Sequence, residues 1–360
     1  MRHLSGLALL ALLAACAVQS PAPVAPPASP DSPRPEPVVQ APSAAVKRLQ
    51  AESRALQPLV STRLANDFLA ETRNLPNREP RTIFQDPRTS QYYSKAESAK
   101  LAPEVASTLR AVMMDEERYY FTKYGSPLAY ARALELAGEN GIESLAGKRV
   151  LDFGYGAVAH LRLLAQKGAH AVGVDVDTYL RALYSEPDDE GPVRRRGVRE
   201  AEWGSVTLVH GRYPADAQVA KEVGGGYALI LSKNTLKRGY IKPSRPAEER
   251  HLIRLGVSDE VFLKSVFDDL KPGGMLLIYN LAPAQAPANK PYLPWADARS
   301  PFTKKQFETA GFKVVALDVN DDNYAREMGR RLGWDKTAKG EVRPDYEKDL
   351  FALYTLVVKP

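Results

Sequence analysis

The sequence predicts an α/β fold: a mostly parallel sheet of seven strands with helices on both faces, behind a helical N-terminal extension. Three observations carry this. Short apolar runs alternate with amphipathic stretches from residue 149 to residue 358. Residues 148–177 read as a strand–helix–strand unit with a glycine-rich turn after the first strand. Strands joined through a helix run parallel, and a parallel sheet needs both faces covered. The chain has 360 residues and is 44% apolar, enough for a sizeable core. Its formal charge of +6 is modest for this length, so no nucleic-acid partner is expected. No metal site is expected either.

Residues 1–15 have a basic start, an apolar run over 7–13 and small residues before Cys16. This is a secretory signal pattern, too short to span a bilayer. Leu13-Ala14-Ala15-Cys16 resembles the lipobox of bacterial lipoproteins. The resemblance implies cleavage before Cys16 and lipidation of that cysteine, which holds the protein at a membrane without crossing it. Cys16 is the only cysteine, so no intramolecular disulfide can form. Ala17 follows it, which resembles the outer-membrane sorting pattern of enterobacterial lipoproteins. The expected location is the cell envelope, facing the periplasm. Residues 16–45 are rich in proline and alanine and read as a semi-extended tether.

Residues 46–147 form the expected helical extension or cap. Leu49, Leu56, Leu59, Leu64, Phe68 and Leu69 give 46–74 a helical period. Pro76, Pro80 and Pro87 then break the chain into a loop. A second helix is expected over 102–124, with Val105, Leu109, Val112 and Met113 on one face. Tyr119, Tyr120, Phe121 and Tyr124 cluster near its end. Ser126-Pro127 is a start signal for a helix over 128–137.

The 148–360 domain opens on the strand 149–153. Gly154 and Gly156 allow a tight turn and close approach of a ligand. A helix over 157–167 points its free N–H groups at that ligand. The second strand, 171–176, carries Asp175 near its end, where a carboxylate can accept both hydroxyls of a ribose. Gly154-x-Gly156-x-x-Ala159 with Asp175 satisfies a dinucleotide fingerprint with alanine in third place. Against it stands Asp152, whose charge would repel a pyrophosphate and suits a cationic ligand better. Asp152-x-Gly154-x-Gly156, followed by Gly173-Val174-Asp175, resembles the nucleotide-binding half of class I S-adenosylmethionine-dependent methyltransferases. The resemblance implies a Rossmann-like sheet with its last strand antiparallel. It implies S-adenosylmethionine as cofactor, held by Asp152, Phe153, Gly154, Tyr155, Gly156, Asp175, Val176 and Ser232. Val158 stands where the family usually has a third glycine.

Further on, a helix is expected over 178–184, an exposed polar loop over 186–204 and a strand over 205–210. The family commonly has an acid after that strand. Here Gly211-Arg212-Tyr213 follows, and Asp216 is the substitute. The strand 227–231 leads into the segment 232–240, and ligands of open α/β sheets bind outside such carboxyl ends. Ala228 stands where the family often has an acid. Lys233, Asn234 and Tyr240 are the candidate catalytic residues. Asn234 and Tyr240 are read as positioning an acceptor, and Lys233, Lys237 and Arg238 as binding an anion. A helix over 258–270, a Lys271-Pro272-Gly273-Gly274 turn and a strand over 275–281 follow. Tyr292 and Trp295 lie in a loop that is read as lining a pocket. A helix over 302–310, a strand over 312–319, an inserted segment over 321–346 and a closing strand over 350–358 complete the chain.

The resemblance implies methyl transfer to an acceptor these residues do not identify. The signal pattern conflicts with it, because S-adenosylmethionine is made in the cytoplasm. The alternative is a non-catalytic envelope protein that uses the same fold to bind a partner or a nucleotide ligand such as NAD.

Overall fold

The computed structural model describes residues 41–360 apart from 196, 338 and 344. The signal pattern, Cys16 and nearly all of the tether lie outside the described residues. Pro42–Pro360 form one compact unit. No helix among the described residues is long and apolar enough to cross a membrane.

The first expected helical stretch is two helices, Ala44–Leu56 and Arg63–Ala70. Ser43 and Thr62 cap them, each hydroxyl accepting from the main chain three residues on. Leu49, Leu56, Leu64, Phe68 and Leu69 are all buried. Glu135 fastens the second helix to helix Ala131–Glu139. Its carboxylate accepts from the N–H and hydroxyl of both Ser61 and Thr62, at 2.6–3.2 Å.

The second expected helix is not there. Strand β1 (Arg81–Gln85) pairs with β2 (Tyr92–Tyr93) and β3 (Arg110–Met114), all antiparallel. Only Pro103–Ala106 and Glu116–Phe121 are helical in that stretch. Ile83 faces Val112 across the ladder, Met114 is buried and Met113 is 58% exposed. The alternation is that of a strand, and the apolar spacing at 109–114 satisfies both periods.

The main sheet holds eight strands. They are β4 (Arg149–Phe153), β5 (His170–Asp175), β6 (Gly191–Val193), β7 (Gly204–His210), β8 (Tyr227–Lys233), β9 (Leu270–Ala282), β10 (Lys313–Asn320) and β11 (Phe351–Val358). Their spatial order is β10-β11-β9-β8-β4-β5-β7-β6. The pairs from β7 to β9 are parallel, and β11 lies antiparallel to both β9 and β10. This is the doubly wound order with a reversed seventh strand, as expected of the Rossmann-like methyltransferase sheet. Period-2 alternation builds its two cores. Val150, Leu229 and Leu277 enter the layer that holds the N-terminal helices, while Leu151, Ile230 and Leu276 enter the layer over helix Asp259–Asp269.

Two expectations are corrected. The 186–204 segment is not simply an exposed loop: β6 adds an eighth, antiparallel strand against β7, and Asp189 is fully buried. The Asp189 carboxylate accepts from Tyr119 Oη at 2.9 Å and pairs with Arg81 at 2.6 Å. Residues 271–274 are not a turn before β9 but a bulge within it. Pairing jumps from Tyr227–Leu270 to Leu229–Met275, and the main chain of Lys359 closes over Gly273 and Gly274.

Candidate functional site

The carboxyl ends of β4, β5, β7 and β8 open on a cleft of about 910 Å³. It sits where the chain reverses its direction of travel across the sheet, β4 lying between β5 and β8. The size suits a cofactor with a small second ligand. Phe153, Gly154, Tyr155, Gly156, Asp175, Val176, Lys233, Asn234 and Tyr240 line it. Asp152 and Ser232 do not.

The glycine turn is required by its neighbours. Gly154 has φ +79° and a Cβ there would fall 2.2 Å from Thr235 Oγ1. Gly156 has φ +59°, and a Cβ would meet the Tyr124 ring at 3.1 Å. Asp175 ends β5 with its carboxylate at the turn. It accepts from Asp177 N at 2.9 Å and Gly156 N at 3.4 Å. Burial pushes its carboxyl up to about 6, against the pull of those main-chain bonds. Val176 beside it is 56% exposed. Asp177 caps helix Thr178–Leu183, accepts from Tyr124 Oη at 2.7 Å and pairs with Lys123 at 2.6 Å. Tyr124, read from sequence as one of an aromatic cluster, is thus pinned across the turn.

The expectation that Asp152 faces a cofactor is corrected. It is fully buried beneath the cleft. Its Oδ2 accepts from Tyr130 Oη at 2.6 Å and meets His160 Nε2 at 2.7 Å. The Tyr130 and His160 rings stack at 3.7 Å between centroids. Asp152 Oδ1 and His160 Nδ1 have no hydrogen-bond partner. Tyr130 comes from the Pro127–Tyr130 turn and His160 from helix Ala159–Gln166. A polar residue one turn into the helix after the glycine loop was the available signal. Ser232 is likewise buried, its hydroxyl accepting from Leu236 N at 3.1 Å. Val158 is buried with its N–H on Tyr184 Oη at 3.2 Å, and Ala228 is buried within β8. Asp216 lines the cleft and accepts from Arg212 N at 3.0 Å.

The β8 end is different. Lys233 Nζ lies 5.3 Å from the Tyr130 ring centre, and burial brings its amine down to about 8. Lys237 is brought down to about 7 by burial and by Lys233. Its ammonium is taken by the carbonyls of Leu281 and Trp295, so its role is to hold the loops together. Arg238 is exposed and does not line the cleft. Asn234 has φ +64°, and its Oδ1 accepts from Leu281 N at 2.7 Å. The segment 250–255 forms the far wall with Trp295, while Tyr292 lies off the cleft on Asp297.

No family model matches the sequence, and no curated protein matches it. Solved structures of similar shape exist. A phosphoethanolamine N-methyltransferase 2 from Haemonchus contortus, in complex with S-adenosyl-L-methionine, is 13% identical with a TM-score of 0.38, covering 82% of this chain and 74% of its own. A cyclopropane synthase from Mycobacterium tuberculosis is 13% identical with a TM-score of 0.38, covering 67% of this chain and 88% of its own. The fold assignment rests on the strand order and the reversed β11.

Proposed function

We propose that the protein binds S-adenosylmethionine at the carboxyl ends of β4 and β5 and transfers its methyl group to an acceptor lying against β8. The observation that carries this reading is Asp175, whose carboxylate ends β5 at the cleft, one strand from the Gly154–Gly156 turn. The cleft fits such a group. Asp175 would accept from the ribose hydroxyls, the turn would admit the nucleoside closely, and Val176 and Tyr124 would supply apolar surface. The cofactor supplies an electrophilic methyl group. The chain's own contribution is positioning and exclusion of water.

Asp152 takes no direct part and braces the floor through Tyr130 and His160. Its withdrawal favours a second reading, because the charge that would repel a pyrophosphate is buried and hydrogen-bonded. Dinucleotide binding at the same turn is therefore the rival, in a non-catalytic or a redox protein. Calorimetry with S-adenosylmethionine, S-adenosylhomocysteine and NAD decides between them. Heat with the first two and none with NAD is expected. Heat with NAD alone sinks the methyltransferase reading.

We also infer that the chain is a lipoprotein of the cell envelope, anchored through Cys16. The support is the residue pattern of 1–16 and the proline-rich run after it. Cys16→Ser is expected to release the chain from membranes on fractionation, and a membrane-bound variant overturns the anchor.

A further inference from the structure

We propose that the β8 end of the cleft is an oxyanion subsite, so that the acceptor carries a carboxylate or a phosphate held by Lys233, Asn234 and Tyr240. The subsite deepens the reading of this cleft as a transferase site and rests on it for the word acceptor.

Several polar groups at the β8 end have no protein partner. Lys233 Nζ has no hydrogen bond and no carboxylate within ion-pair distance among the described residues, and its residue lines the cleft. Asn234 Oδ1 faces the N–H of Leu281, which can only donate, so the amide orientation is set. Its Nδ2 is left without a protein partner beside the cleft. Tyr240 Oη has no protein partner either, although the Tyr240 main chain is fixed by Ile253 N at 2.9 Å. Lys233 ends β8, Asn234 follows it, and Tyr240 lies beyond in the short helix Arg238–Ile241. Lys233 Nζ and Asn234 Nδ2 can only donate there, and Tyr240 Oη can donate or accept. A lysine amine and an amide N–H without protein partners at one end of a cleft complement a group that accepts and carries negative charge. An oxyanion has that chemistry, and an ammonium acceptor is the wrong sign for it.

Of the other charges of the cleft, Arg212 after β7 is an exposed cation with no ion pair among the described residues. Asp175, Asp177 and Asp216 stand at the β5 and β7 side, each with donors already in place. Arg250 and Arg254 on the far wall pair with Glu248 and Glu249. Asp152 faces Lys233 only from beneath, with Tyr130 between β4 and the cleft. Lys237 from the same loop is spent on two carbonyls.

The probe is inorganic phosphate, titrated calorimetrically into the wild-type chain, Lys233→Met, Lys233→Arg and Tyr240→Phe, with melting temperatures followed alongside. Wild type is expected to bind. Lys233→Met is expected to lose roughly tenfold or more in affinity and Tyr240→Phe a few-fold, with Lys233→Arg retaining most of it. Wild-type affinity is expected to fall as the pH rises through about 8, where the amine loses its proton. A merely structural lysine would not produce that profile. Phosphate and S-adenosylhomocysteine are expected to bind together. If they compete, the anion recognised is the cofactor's own carboxylate and the acceptor assignment is overturned. Equal phosphate affinity in wild type and a folded Lys233→Met, or no heat with phosphate at all, also overturns it. The phosphate arm runs without cofactor, so a failure of S-adenosylhomocysteine to bind refutes the cofactor reading alone.

Discussion

The ends of β5 and β8 face one cleft from opposite sides of β4, and they are chemical opposites. The β5 end presents carboxylates, and each already holds main-chain or side-chain donors: Asp175 on Asp177 N and Gly156 N, Asp177 on Lys123 and Tyr124. The β8 end presents donors, and Lys233, Asn234 and Tyr240 leave theirs open. A preorganised carboxylate suits a neutral hydroxyl-bearing ligand, whose incoming protons add to a set already ordered. Open donors suit a ligand that brings its own charge. On the proposed reading the cleft would sort its ligands by polarity before any shape is considered.

Asp175→Ala is expected to weaken S-adenosylhomocysteine binding by roughly 100-fold, the order of two charge-assisted hydrogen bonds. Calorimetry reads it, and unchanged affinity removes the cofactor assignment. Asp152→Ala tests the buried carboxylate. It should leave affinity within about threefold yet lower stability by roughly 3 kcal/mol, because Tyr130 and His160 lose their shared partner. A variant as stable as wild type but unable to bind would put Asp152 back in the site.

Acidity sharpens the contrast further. Asp175 has its carboxyl raised from 3.8 to about 6, so its folded form holds a proton more tightly than the unfolded chain does. Its contribution to stability is therefore present at low pH and lost as the pH rises through 4 to 6. Ribose binding needs the carboxylate, so affinity should move the other way, falling about tenfold per unit below pH 6. Titrations from about pH 3.5 to pH 8 check both. Glu135 is of the other kind. Burial works to raise its carboxyl, but the bonds from Ser61 and Thr62 prevail and lower it. Its stabilisation is present at neutral pH and lost as the pH falls below about 4.5. The smallest effect is at Tyr124: Tyr124→Phe removes only the bond to Asp177, costing about 0.5–1 kcal/mol in a melting experiment.

Local pattern carried the parallel strands, the glycine turn and Asp175, because strand period and backbone freedom are properties of neighbouring residues. It also placed Lys233, Asn234 and Tyr240, which follow from the end of β8. What escaped depends on partners far along the chain. Asp152 reads as a ligand-facing acid until Tyr130, 22 residues upstream, is brought over it. Lys237 reads as an anion binder until the carbonyls of Leu281 and Trp295 arrive. The 109–114 stretch misled for another reason. Its apolar spacing serves a helix and a strand equally, and the ladder to β1 decides. The short β6 has too few residues for any period to show.

The reversed strand ties the far side of the sheet to the last residues of β11. β11 sits between β9 and β10 in space but follows both in sequence. Until it is made, β10 has no neighbour and β9 has one bare edge. The far side is closed by Phe351–Val358, paired main chain to main chain on both flanks. A chain halted before residue 351 would leave one edge of β9 bare and β10 without the strand it pairs with.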